Sequence, residues 1–272
     1  MNPEPSGQTR PYRLYSFLAP LLLPVYQAVA DCLAEQLGSP VELVEGRSYD
    51  QVAQADFCFI CGLPYILRSP PRAPRRLHAL AAPVIRGQRY AGRPIYYSDV
   101  VVRRDSPYQT FADLRGSVWA YNEPESQSGY GIVRYHLAQL GETGGYFRQV
   151  IEAGFHQRAL RLVVEGEADA AAIDAPLLAV ALREQPGLAE RLRVIAALGP
   201  STIQPFAAAP AVPPSVRRAA QGALADMHRD RRWRHRLAWG LVERFVPVTD
   251  QDYDDIRAML AACERAGFLT VR

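Results

Sequence analysis

The chain contains no lysine: all 31 of its basic residues are arginine, set against 28 acidic residues in 272 positions. Exclusive use of one cation reflects genome composition more than function. The net charge of +3 is small and spread along the chain, which excludes a nucleic-acid surface on charge grounds. Cysteine is scarce as well. Cys32, Cys58, Cys61 and Cys263 do not make the framework of a small disulfide-stapled domain. Cys58 and Cys61 form a Cys-x-x-Cys, but inside the apolar run ADFCFICG, with no second Cys or His pair at ligand spacing. Two small hydrophobes in a core strand are the expectation, with no metal and no cofactor. No internal repeat is evident. There is no Walker loop or dinucleotide fingerprint, since GETGG at 141–145 lacks both the lysine and a preceding strand. No stretch is long and apolar enough to span a bilayer, so no membrane insertion is expected.

The N-terminal region lacks the marks of a signal peptide. Glu4 precedes any base, Pro20 and Pro24 interrupt the apolar part around Leu21–Leu23, and no cleavage or lipidation site stands at Cys32. It reads instead as a strand, 13–19, followed by an amphipathic helix ending at Gly38. On residues alone the protein is expected in the cytoplasm, or in the periplasm if its start is truncated or misannotated.

What is present is an ordinary globular composition, 49% hydrophobic and 22% charged, long enough for one large domain or two modest lobes. Strand-like runs (YRLYSFLA, PVELVEG, ADFCFICG, HALAAPVI, YYSDVVVRR, SVWAYN, QVIEAG, ADAAAID and LRVIAAL) alternate with helical stretches such as PVYQAVADCLAEQLG, YGIVRYHLAQLG and HQRALRLVVEGE. The alternation predicts an α/β fold with largely parallel sheets. RSPPRAPRR, 68–76, reads as a solvated connector. From VPPSVRRAAQGALADMHRD onward the pattern reads as helical to the end.

NEPESQSGYG, residues 122–131, concentrates chemistry. SVWAYN is a strand and the run from Ser128 to Gly141 a helix, so Ser126, Gln127 and Ser128 sit where a strand ends and a helix begins. Unpaired N–H groups, the positive end of a helix dipole and extra hydroxyls coincide there, which is an oxyanion-binding arrangement. A helix cap alone needs only one such residue. Elsewhere, His156 has no Ser or Cys partner at recognisable spacing, so no nucleophile–base pair is expected.

The order of motifs resembles the phosphate/phosphite/phosphonate-binding proteins of ABC importers. EGRSYDQVAQ supplies the tyrosine after the second strand, Tyr49. ADFCFICGLPYIL has a Gly-x-Pro-x-Tyr-like turn with Tyr65. YYSDVVVRRDSPYQTFADLRGSVWAYNEPESQSGYGI carries the crossing strand with Tyr96 and Ser98, the Asp-Ser-Pro turn, DLRG and the Ser-x-Ser-Gly-Tyr anion loop. GFHQRALRLVVEGEADAAAID and FVPVTDQDYDDIRAML complete a resemblance over about residues 13–265.

The resemblance implies a two-lobed type II periplasmic binding protein fold with a ligand cleft between the lobes. Lobe one would comprise 1–98 completed by 200–272, and lobe two 99–199, with crossings near 98–103 and 194–202. It further implies that Ser126, Gln127, Ser128 and Gly129 grip an oxyanion, that Tyr49, Tyr65 and Tyr96 line the facing lobe, and that His156 donates to the anion. Asp174 would receive a ligand ammonium, tie the hinge or cap a strand end. The chain departs from the pattern in three places. Gln157 stands where members that bind aminoalkylphosphonates carry glutamate, Gln127 replaces a common threonine, and LAPLLLP lacks the Ser/Thr donors of a second anion-facing helix start. The implied function is a solute-binding protein for a small oxyanion, partnered by an ABC permease and without catalysis. The alternative is a cytoplasmic enzyme or ligand sensor on the same fold.

Overall fold

The computed structural model describes residues 10–70, 76–142, 144–268 and 270–271. Glu4, most of the 68–76 connector and Thr143 of GETGG lie outside the described residues. Eleven strands form two sheets among them. The first part of the chain supplies β1 (Tyr12–Ser16), β2 (Val41–Glu45), β3 (Phe57–Phe59) and β4 (His78–Ile85). The middle supplies β5 (Ile95–Arg103), β6 (Val118–Tyr121), β7 (Gln149–Glu152), β8 (Ala170–Asp174) and β9 (Leu192–Thr202). Two short strands, β10 (Phe206–Ala208) and β11 (Val242–Pro247), follow. The first sheet has the order β11-β4-β10-β3-β1-β2, the second β7-β6-β8-β5-β9.

Each element follows from its pattern. Helix α1 (Leu23–Leu37) takes Pro24 in its first turn, where no N–H is needed, and stops at Gly38, whose φ of 61° glycine adopts without strain. Its buried residues Val25, Ala28, Val29, Cys32 and Leu33 fall on one stripe against the first sheet. Strand β8, AAAID, is buried along its whole length, as a central strand covered on both faces must be. Helix α4 (His156–Glu165) turns Ala159, Leu160, Val163 and Val164 towards it.

Two expectations are corrected. The sheets are mixed: β1 pairs parallel with β2 and β3, and β6 with β7 and β8, but β4, β10 and β11 pair antiparallel, as do β5, β8 and β9. The C-terminal part is not wholly helical, because β11 lines up along β4 as an edge strand. Its short ERFV core, between helices, gives little period-two signal. The chain passes between sheets through 86–94 and 203–205, and β5 and β9 run side by side where it does so. Helix α9 (Asp254–Arg265) packs against helices α2 (Gly62–Arg68) and α3 (Ile132–Gln139), and beyond it Phe268 and Val271 join the core around Trp119. No helix among the described residues is long and apolar enough to cross a membrane.

Candidate functional site

Residues at or just beyond the C-terminal ends of β1, β2 and β3 in one sheet, and of β6, β7 and β8 in the other, line one cavity of about 630 Å³. Strand ends gather ligands in α/β layers because the following helices turn unpaired N–H groups towards them. The Ser126 hydroxyl accepts the Gly129 N–H at 3.0 Å and caps a single wide, π-type turn, Gln127–Gly131, that runs into α3. Such turns recur at functional sites. Both glycines are there for close approach: a Cβ on Gly129 would collide with Asn122 Oδ1, and one on Gly131 would lie 2.6 Å from Gln127 Oε1.

The Ser128 hydroxyl lies 3.4 Å from that of Ser126 and 3.1 Å from His156 Nε2. His156 opens α4, and burial pushes its pKa down to about 4, so the imidazole is neutral. Among the described residues, its Nδ1, the Tyr96 hydroxyl and Asn122 Oδ1 are buried without a hydrogen-bond partner. Orphaned polar atoms are rare in protein interiors, and these three belong to one neighbourhood around Ser128. Asp174 lines the cavity and caps helix α5 (Ala175–Glu184): Oδ1 accepts the Leu177 N–H at 2.9 Å and Oδ2 accepts from Gln204 Nε2 at 2.6 Å. Burial raises its pKa to about 6.

The structure brings Tyr49, Ser126, Ser128, His156 and Asp174 to the cavity wall, with Gly129 directly behind. Tyr49 differs from expectation in its partner. Its hydroxyl donates to Glu123 Oε1 at 2.9 Å, and its ring is held between Phe17 and Arg68. Tyr65 is turned away from the cavity, because its segment is helix α2 rather than a turn. Its ring packs on Tyr253 and its hydroxyl donates to Asp250 at 2.9 Å. Tyr96 lies behind the wall, in β5 opposite Ser201, rather than lining the facing lobe. Gln127 also departs from the gripping role: its amide reaches Ser201 Oγ at 3.1 Å and Met259 Sδ at 3.3 Å, while its N–H points to Cys61 Sγ at 3.3 Å. Its carboxamide thus ties the turn to β9 and α9.

Sequence reasoning missed Asn122 and Glu123, although both lie in the stretch that drew attention, and it missed the Ser128–His156 contact, which joins residues 28 apart. It also missed Cys61 at the wall and the apolar residues Phe17, Leu18 and Leu22 opposite the serines. All four cysteines are free and buried; burial pushes the Cys58 thiol up to about 12 and Cys61 to about 11. No group of three or more His, Cys, Asp or Glu among the described residues is placed to hold a metal ion.

The profile of the family described as "ABC transporter, phosphonate, periplasmic substrate-binding protein" matches residues 20–253. Among solved structures, the fold is similar to a binding-protein component of a phosphonate ABC transporter from Pseudomonas aeruginosa (TM-score 0.80, 16% identity, covering 95% of this chain and 88% of that one). It is similar to PhnD1 of Prochlorococcus marinus, solved with methylphosphonate (TM-score 0.76, 14% identity, 93% and 98% covered). A Xanthomonas citri protein solved with ATP is a further neighbour (TM-score 0.66, 17% identity, 94% and 97% covered).

Proposed function

The chain belongs to the family of phosphonate ABC transporter periplasmic substrate-binding proteins, and from that premise we propose that it captures a phosphonate- or phosphate-like oxyanion by closure of two lobes. The lobes correspond to the two sheets. The boundaries expected near 98 and 200 fall inside β5 and β9, which belong whole to the second sheet, so the hinge of this reading lies where the chain passes between sheets, at 86–94 and 203–205. The observation that carries the reading is the buried turn at Ser126–Gly129. Two hydroxyls, a helix-start N–H cluster and a neutral imidazole converge there beside three polar atoms without partners. A tetrahedral head group supplies acceptors for the hydroxyls, the N–H cluster and the imidazole. The protein then acts in the periplasm and delivers its ligand to an ABC permease.

The Ser128–His156 contact is the arrangement closest to a catalytic one, and its electrostatics favour binding instead. A base works best with a pKa near the operating pH, whereas burial holds this imidazole at about 4. No hydrogen-bond partner among the described residues orients its Nδ1 as the carboxylate does in a catalytic triad.

The test is calorimetry with methylphosphonate, phosphite, phosphate and sulfate, on the protein and on a Ser126→Ala/Ser128→Ala double variant. Two or three charge-assisted hydrogen bonds at about 1.5–3 kcal/mol each are at stake, so the double variant should lose on the order of a hundredfold or more in affinity. Its fold should survive, since a lost cap costs about 1 kcal/mol. An anion bound with undiminished affinity by the double variant would show that the turn is only a helix cap.

A further inference from the structure

The cavity's two walls differ where helices begin, although the first wall also carries Ser16, Arg47, Ser48 and Tyr49. The second sheet contributes Asn122, Ser126, Ser128, His156 and Gln157, all able to hydrogen-bond. The first contributes Phe17, Leu18, Ala19, Pro20 and Leu22 at the place where a matching helix start should offer donors. Ala19 occupies the cap position and has no side-chain oxygen, while Pro20 follows it without an N–H. That helix start is therefore silent towards an anion.

On the first lobe's side the same cavity is also lined by the apolar side chains Val25, Phe59, Ile85 and Phe245, each only slightly exposed, which make up its apolar pouch. At about 630 Å³ the whole cavity falls in the range of roughly 300–1,000 Å³ typical of sites for drug-sized molecules. A one-carbon phosphonate seated on the serines leaves most of it unfilled. At the mouth, Phe155 is 64% exposed beside His156, and it also lines the cavity. Its ring adds apolar surface at the mouth. Charge adds no strong pull on a small dianion: the cavity's described side chains include the carboxylates of Glu45, Glu123 and Asp174 against the single guanidinium of Arg47.

Resting on the oxyanion reading above, we infer that the ligand is an amphipathic phosphonate or phosphate monoester, its head on the serine turn and an alkyl or aryl body in the pouch of the first lobe. The head is oriented by neutral donors, and most of the affinity comes from apolar surface leaving water.

Calorimetry with n-alkylphosphonates from methyl to octyl, and with the matching n-alkanols, tests this on the intact protein. Affinity should rise about fourfold per methylene until the pouch is full. Leu18→Ser and Phe155→Ser, at a half-buried and an exposed position, should flatten that slope, with thermal melting confirming that both are folded. Methylphosphonate binding with no gain from longer chains overturns the inference and leaves the oxyanion reading standing. Binding of octanol but of no phosphonate sinks the oxyanion reading, and this ligand class with it. A slope unaltered in both folded variants places the tail elsewhere and also overturns the inference.

Discussion

The Ser128 hydroxyl and His156 Nε2 lie 3.1 Å apart, joining the loop after β6 to the first residue of α4. The contact unites two helix starts that are remote in sequence, and both of its groups are uncharged. On the oxyanion reading proposed above, recognition depends on dipoles fixed by the fold rather than on a cation that moves in with the ligand.

The buried pair of His156 and Asp174 gives opposing pH dependences. His156 has a folded pKa of about 4 against an ordinary value of 6.5. The unfolded chain takes up that proton first, so this residue's contribution is present above 6.5 and is lost as pH falls towards 4, on the order of 3 kcal/mol in all. Asp174 is raised from 3.8 to about 6, so its contribution is present below 3.8 and is lost as pH rises through 6. Between pH 4 and 6 the two largely cancel. Urea midpoints of Asp174→Asn should fall more steeply on acidification than those of the unaltered protein, and those of His156→Asn less steeply. Three parallel profiles would refute the assignment.

Gly129 should tolerate no side chain while Asn122 stays in place. Gly129→Ala drives the new methyl into Asn122 Oδ1, and overpacking of a close-packed site costs about 1–3 kcal/mol. Asn122→Ala should recover most of that loss in the double variant, and a denaturant-based double-mutant cycle measures the coupling. Additive effects would mean that the glycine is needed for some other reason.

Much of this was legible in the sequence because it is local. The strand end at Tyr121, the serine cap and the helix after it lie within some twenty residues, and their propensities agree with their final roles. The fates of Tyr65 and Gln127 were not legible. Both look like ligand-facing polar residues, but their partners, Asp250 and Ser201, come from distant segments. β10 and β11 escaped notice because short antiparallel strands with distant partners carry almost no periodic signal. The apolar pouch is the most non-local feature of all, since its walls run from Leu18 to Phe245.

Several contacts join the lobes, Gln127 N–H to Cys61 Sγ and Gln204 to Asp174 among them, and two more involve the acidic residues of the loop after β6. The Tyr49 hydroxyl donates to Glu123 at 2.9 Å, and Arg68 makes a forked ion pair with Glu125, its shorter arm 2.6 Å. The ion pair is 27% and 39% exposed on its two sides, so it is worth only about 0.2–1 kcal/mol. The phenol–carboxylate bond is more sheltered and adds about 1–2 kcal/mol. Together they favour the closed arrangement by an amount equivalent to roughly ten- to a hundredfold in population. A Tyr49→Phe/Arg68→Ala variant should therefore be more open, with a larger radius of gyration in small-angle scattering when no ligand is present. Apparent affinity should fall by up to the same factor, because only the closed fraction is competent to hold the ligand on both sides. Saturating ligand should bring the scattering back to that of the unaltered protein, since binding pulls the open fraction over. If the variant scatters and binds like the parent, neither contact governs closure, and the equilibrium is set by the other contacts between the lobes and by the segments 86–94 and 203–205.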